Sequence, residues 1–304
     1  MNSKVYIQEV APRDGFQGES RFIDTADKIS FINHLSNCGF AKIEVTSFTS
    51  PKAIPALSDA ETVMKGIVRN SSVVYSSLVP NVRGAQRALE SGVDELNLVM
   101  SVSESHNRSN LRMSREASFS ALVDVINYVG NATVSINVSL STVFGCPFDG
   151  NVDFASVLQL VDRFAELGVD GITFCDTTGM AYPTQVQKIS STLVEHYAPL
   201  DLTMHFHNTR GMALANTLAA VDAGIYRFDS SVGGIGGCPF APGASGNTCT
   251  EDLVHMLHLM GYDTGVDLGM LVATAAQLPD MVGHEIPSYI LKAGSREKQH
   301  SFSC

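Results

Sequence analysis

The sequence predicts an α/β fold, a closed (β/α)8 or TIM barrel with additional C-terminal helices, on three observations. Eight short apolar, β-branched runs recur along the chain with helical patterns between them, the signature of βα units feeding a parallel sheet. Polar residues gather at the C-terminal ends of these runs, where a barrel collects its chemistry. The doubly wound open sheet is the alternative. However, no GxGxxG follows the first strand, and the Gly-rich "GGIGGCPFAPGASGN" comes after the last one and lacks the Lys-Ser/Thr of a phosphate-binding loop.

The elements follow in order. The first strand is "VYIQEV" (5–10), after which Asp24 or Thr25 is placed to cap a helix carrying Ile29, Ile32 and Leu35 and stopping near Gly39. Further strands are expected at 41–47, 73–79, 94–100, 133–141, 170–176, 201–207 and 225–232. Between the fifth and sixth, Asp153 precedes Phe154, Val157, Leu158, Val161, Phe164 and Ala165 at helical spacing, and Gly168 ends that helix. After the eighth strand come the Gly-rich loop, a helix from about Thr250 and further helix to about Met281. Residues 1–292 therefore read as a single barrel domain including the C-terminal helices, and 293–304, "AGSREKQHSFSC", as a flexible tail.

Composition narrows the function classes. With 44% hydrophobic and 17% charged residues over 304 positions, the chain has enough apolar material for one large core. Charged residues, Gly or Pro interrupt every long apolar run, and the N-terminus enters a strand at once, so a cytoplasmic location is expected, with no membrane partner. A formal net charge of −11 argues against nucleic acid as a partner. Six cysteines without CxxC spacing read as reduced thiols.

The polar residues at the strand ends are Arg13, Asp14 and Gln17 after the first strand, Glu44 and Ser47 on the second, Asp176 in "CDTTG" after the sixth, His205 and His207 on the seventh, and "DSSVGG" on the eighth. In "HFHNT" the two histidines have i, i+2 spacing, so both imidazoles face one side of the strand. Two readings stand at this level: a hydrogen-bonded pair lining a packed barrel, or half of a metal site. Asp14 adds a hard oxygen to the imidazoles, a set that suits Mn²⁺, Mg²⁺ with waters, Co²⁺ or Zn²⁺. Cys238 sits on the Gly-rich loop, either as a structural thiol or as an acid or nucleophile closing over substrate.

The segments "APRDGFQGE", "IEVTSF", "FGCPFDG", "DTTG", "HFHNT" and "GGIGGCPFAPGASGN" with "TEDLVHML" together resemble the 3-hydroxy-3-methylglutaryl-CoA lyase family of metal-dependent barrel lyases, from about Val5 to about Met281. The resemblance implies cleavage of an acyl-CoA substrate to acetyl-CoA and acetoacetate with a divalent cation, Mg²⁺ or Mn²⁺ first. It implies metal ligation by Asp14, His205, His207 and Asn247, enolate stabilisation by Arg13 and proton transfer by Cys238. It further implies acidic site residues at Glu44, Asp176 and Glu251, with Gln17, Ser47 and Asn81 as substrate neighbours. A homodimer is expected on the same basis, and Arg83, Arg108, Arg112 and Arg115 are candidates to meet the phosphates of CoA.

The sequence departs from the family pattern at Asn208, where Asp is usual, and at Phe16 and Gly18, where "RDGLQNE" is common. These departures keep a related substrate, citramalyl-CoA giving acetyl-CoA and pyruvate, as the alternative. A Claisen-condensing synthase and a non-catalytic binding protein on the same fold are the readings from other classes.

Overall fold

The computed structural model describes residues 4–237 and 246–299. Eight parallel strands close a barrel in chain order: β1 (Tyr6–Glu9), β2 (Lys42–Ser47), β3 (Val74–Leu78), β4 (Glu95–Ser101), β5 (Ser135–Ser141), β6 (Gly171–Asp176), β7 (Asp201–Phe206) and β8 (Arg227–Ser230), with β8 pairing back onto β1. All but β4 lie inside their expected runs, and β4 extends one residue past its own.

Successive side chains of a strand point to opposite faces, and here the two faces differ in chemistry. Ile136, Val138 and Leu140 of β5, Leu96, Leu98 and Met100 of β4, and Leu202, Met204 and Phe206 of β7 join the apolar core beneath the helices. The alternate positions turn to the barrel axis, where Gln8, Lys42, Glu44, Asn97, Asn137 and Asp229 line a small internal cavity. Barrel interiors are commonly filled by branched aliphatic side chains; this one is polar, so its buried groups must find hydrogen-bond partners with one another.

Around the barrel run α1 (Thr25–Leu35), α2 (Ala60–Gly66), α3 (Val82–Glu90), α4 (Glu104–Leu111), α5 (Arg115–Val129), α6 (Phe154–Glu166), α7 (Pro183–Tyr197) and α8 (Ala213–Asp222). The C-terminal set is α9 (Thr250–Leu259), α10 (Leu268–Ala275), α11 (Leu278–Val282) and α12 (Tyr289–Ala293), with α10 packed on both α1 and α9. α6 starts as expected, the Asp153 carboxylate accepting from Ala155 N at 3.1 Å. At α1 the expected cap does not form. Asp24 occupies the cap position without a side-chain bond, and the Thr25 hydroxyl donates instead to Asp59 (2.7 Å), which also holds the buried Lys28 ammonium (2.8 Å). The tertiary contact outweighs the local one because it satisfies a charge that burial would otherwise leave unpaired.

The turn after α1 depends on Gly39, whose φ of +94° and 2.1 Å spacing between an added Cβ and Gly265 O leave no room for a side chain. Gly39→Ala is expected to destabilise the fold by roughly 2–4 kcal/mol, read as a lowered midpoint in equilibrium urea unfolding.

Candidate metal centre and active site

A wide π-type turn, Ala11–Gly15, leaves the end of β1 and carries Arg13 and Asp14 into the barrel mouth. His205 lies in β7 and His207 just past its end, so the strand's period of two delivers both imidazoles to the same mouth. Ligand atoms of Asp14, His205 and His207 all lie within 4.8 Å of one another, and the two histidine Nε2 atoms are 3.0 Å apart. Asn247 reaches this cluster because residues 246–248 run alongside the end of β7: Asn208 N donates to Gly246 O (2.9 Å) and Thr248 N to Phe206 O (3.1 Å). Its amide donates to Asp14 Oδ2 (2.8 Å) and to Ile235 O (3.1 Å). Gly236 packs against it so closely that a Cβ there would lie 2.7 Å from Asn247 Nδ2.

The protonation states of Asp14 and His207 suit a cation, while His205 holds its proton more readily than a free imidazole. Burial, and then the neighbouring His205, push the His207 pKa down to about 3, leaving its imidazole neutral at physiological pH. Burial works to raise the Asp14 pKa, but Arg13, His205 and His207 outweigh it and hold the carboxyl well below the usual range. Burial likewise opposes protonation of His205, and the hydrogen bond and charge of Asp229 overcome it and raise its pKa. His207 Nδ1 and Asn247 Oδ1 are buried with no hydrogen-bond partner among the described residues. One carboxylate, two imidazoles and an orphaned amide oxygen fit a divalent cation.

Arg13 is pinned between two acids: its Nε donates to Glu44 Oε2 at 2.6 Å and its Nη1 pairs with Asp14 Oδ1. Burial disfavours the guanidinium charge, but Glu44 and then Asp14 outweigh it, and the arginine stays charged. Burial also pushes the Glu44 carboxyl up against the pull of Arg13 and Asn97; beside a cation that cannot shed its proton, the ion pair is the favoured form. The Asp229 carboxylate lies 3.2 Å from His205 Nδ1, which leaves His205 Nε2 turned toward His207.

Asp176 ends β6 with Oδ1 accepting from Met180 N (2.7 Å) and Ala181 N (3.1 Å), while Oδ2 is buried without a partner among the described residues. Burial pushes its pKa up to about 6, close to neutrality. Ser47 is buried at the end of β2, its hydroxyl bonded to Thr49 Oγ1 (2.8 Å). The other expected neighbours have these surroundings. Gln17 is exposed, and Asn81 is exposed and caps α3, accepting from Gly84 N at 3.0 Å. Glu251 is fully buried under the start of the Gly-rich segment and accepts from Gly233 N (2.9 Å). Arg83 and Arg112 are exposed, Arg108 pairs with Glu104 (2.6 Å), and Arg115 is half-buried. Cys238 lies outside the described residues.

The departures from the family pattern also have local explanations. Phe16 is buried against Phe31 of α1, with ring centroids 5.6 Å apart, and so points into the core. Gly18 is exposed, 3.9 Å from Gly237 O measured at an added Cβ. Asn208 accepts from Ala213 N (3.2 Å) at the start of α8.

Sequence reasoning missed Glu9 and Asn97. Asp229 opens the "DSSVGG" that ends the eighth strand, and the register of β7 and β8 sets it beside His205. Glu9 is a carboxylate on the outward face of β1 where an apolar residue is expected. It accepts from Ala11 N (2.8 Å), Val232 N (3.0 Å) and Thr250 Oγ1 (2.8 Å), tying together the starts of the Arg13–Asp14 turn, the Gly-rich segment and α9.

A family model described as HMGL-like matches residues 4–278. The hydroxymethylglutaryl-CoA lyase YngG of Bacillus subtilis is 46% identical over 94% of this chain and 95% of its own length. The (R)-citramalyl-CoA lyase of Chloroflexus aurantiacus is 35% identical over 95% of each. A solved HMG-CoA lyase from Acinetobacter baumannii, in complex with coenzyme A and 3-methylmalate, superposes with a TM-score of 0.95 at 47% identity, covering 98% of both chains.

Burial pushes the Glu9 pKa from its ordinary 4.5 up to about 8. The folded chain thus keeps a proton that the unfolded chain releases, so this contribution is complete below pH ~4.5 and is lost as pH rises through about 8. The slope is at most ~1.4 kcal/mol per pH unit. Glu9→Gln can keep all three bonds, its oxygen facing the two N–H groups and its amide facing Thr250. Melting temperatures between pH 5 and 8.5 are therefore expected to fall less steeply in the variant than in the parent protein.

Proposed function

The chain belongs to the HMGL-like family, whose kinship makes it a carbon–carbon lyase, and from that premise we propose that it cleaves 3-hydroxy-3-methylglutaryl-CoA to acetyl-CoA and acetoacetate. The observation that carries this reading is the Arg13 guanidinium, held by Glu44 directly beside the Asp14–His205–His207 cluster. A fixed positive charge next to a cation site is what a departing thioester enolate requires.

In the reaction the substrate hydroxyl loses its proton and the Cα–Cβ bond breaks. The alkoxide carbon becomes the ketone of acetoacetate, and the electron pair passes to the thioester as an enolate, which is then protonated on carbon. Asp14, His205, His207 and Asn247 are the proposed ligands of a divalent cation. Mg²⁺ or Mn²⁺ is the first choice, with Co²⁺ and Zn²⁺ as alternatives. When bound, this ion supplies Lewis acidity that lowers the pKa of the substrate hydroxyl. Arg13 faces the enolate oxygen. Asp176, with a free carboxylate oxygen and a pKa near 6, is the proposed acceptor of the hydroxyl proton. Cys238 is the proposed donor to the enolate carbon, on the strength of the resemblance. Ser47, Gln17 and Asn81 are the proposed acyl-CoA neighbours, and Glu251 supports the Gly-rich segment. A homodimer in the cytoplasm completes the proposal; among the described residues no helix is long and apolar enough to cross a membrane.

A second reading has one specific observation in its favour, the 35% identity to a citramalyl-CoA lyase over 95% of both chains. Product analysis by mass spectrometry separates the two. Mn²⁺-loaded protein is expected to give acetoacetate and acetyl-CoA from 3-hydroxy-3-methylglutaryl-CoA. Pyruvate from citramalyl-CoA alone would move the substrate, and cleavage of neither would remove the lyase reading.

Arg13→Met is expected to lower kcat by on the order of 10²–10³-fold with a far smaller change in KM, measured by steady-state acetyl-CoA release.

A further inference from the structure

Among the described residues Glu44 is the only partner of Arg13 Nε, and what orients Glu44 lies deeper in the barrel. Its Oε1 accepts from Asn97 Nδ2 at 2.7 Å, so each carboxylate oxygen has its own donor and the plane of the group is fixed. Asn97, on β4, is itself held. Its Oδ1 accepts from Asn137 Nδ2 (3.0 Å) and from the Ser139 hydroxyl (2.8 Å). The Asn137 amide also donates to Thr173 Oγ1 at 3.0 Å. All of these side chains are buried. Turning the Asn97 amide over would set oxygen against the Glu44 carboxylate and NH₂ against the Asn137 donor, so only one orientation satisfies the network.

We propose that Asn97 is a positioning residue for catalysis. Backed by Asn137 and Ser139, it sets the Glu44 carboxylate that aims the Arg13 guanidinium. The proposal rests on the lyase reading, in which Arg13 meets the enolate. A group that acts only on the transition state must be placed to within a fraction of an ångström, and a polar network inside a rigid barrel supplies that precision where a flexible arginine alone does not.

The test uses an exchange of polarity. Asn97→Asp keeps the side-chain shape and both bonds to Oδ1 but sets a carboxylate oxygen against Glu44. The expected result is a kcat lowered by about 10- to 100-fold, with KM and Mn²⁺ affinity nearly unchanged. Adding Glu44→Gln restores a donor–acceptor pair of reversed sense: the amide introduced at position 44 donates to the carboxylate introduced at position 97, while its oxygen still faces Arg13 Nε. The double variant is therefore expected to exceed N97D in kcat, and the arginine Nε–H signals in ¹H–¹⁵N spectra are expected to shift in N97D and return in the pair.

Parent-like kcat in N97D, or a double variant no better than N97D, would overturn the role of Asn97 and leave the lyase reading standing. A parent protein that cleaves neither thioester overturns the lyase reading itself.

Discussion

The buried charge of Arg13 is the constraint on which the barrel mouth depends. A guanidinium cannot shed its charge on burial, so the fold must supply anions, and Glu44 on β2 and Asp14 in the turn after β1 meet it from two different segments. Those contacts do more than neutralise it. Glu44 takes Nε and Asp14 takes Nη1, and Asp14 keeps a second oxygen for Asn247. A single ion-pair cluster thus fixes the Arg13 guanidinium and one edge of the proposed cation site at once.

Around that cluster, three chain segments distant in sequence are joined by two buried acids. Glu9 binds the first amide of the Arg13–Asp14 turn and the first amide of the turn leading into the Gly-rich segment, and Glu251 holds the next amide of that second turn. Because both carboxylates sit beneath the mouth, they set where the Gly-rich segment begins and where Asn247 returns.

The fold was legible because the outward face of most strands is apolar, Glu9 of β1 being an exception. Runs such as Ile136, Val138 and Leu140 must be buried under helices, and a one-residue slip would expose them. The shared face of His205 and His207 was legible for the same geometric reason, since i, i+2 residues on a strand point one way, whereas the reading of that face as a cation site came from the family resemblance. The rest was hidden by distance along the chain. Asp229 meets His205 only through the closure of β8 on β7, and Asn97 is one polar residue among many until the cross-strand network shows which carboxylate it touches. The cap at α1 failed because a sequence window containing Asp24 and Thr25 does not contain Asp59.

The division between the two strand faces also bears on substrate choice. Outward residues carry the core and inward ones carry the chemistry, so a substitution shifts the acyl preference only where it faces the mouth. Phe16 belongs to the first class. It is buried against Phe31, and its size is absorbed by core packing under α1 and not by the site. The Asn208 side-chain oxygen is engaged by the start of α8, a bond an aspartate oxygen could make equally well. Gly18 is exposed, and a side chain there would come no nearer than 3.9 Å to Gly237 O. Phe16 and Asn208 are thus accounted for by core packing and by the start of a helix, and neither departure by itself draws the acyl preference away from that of the family.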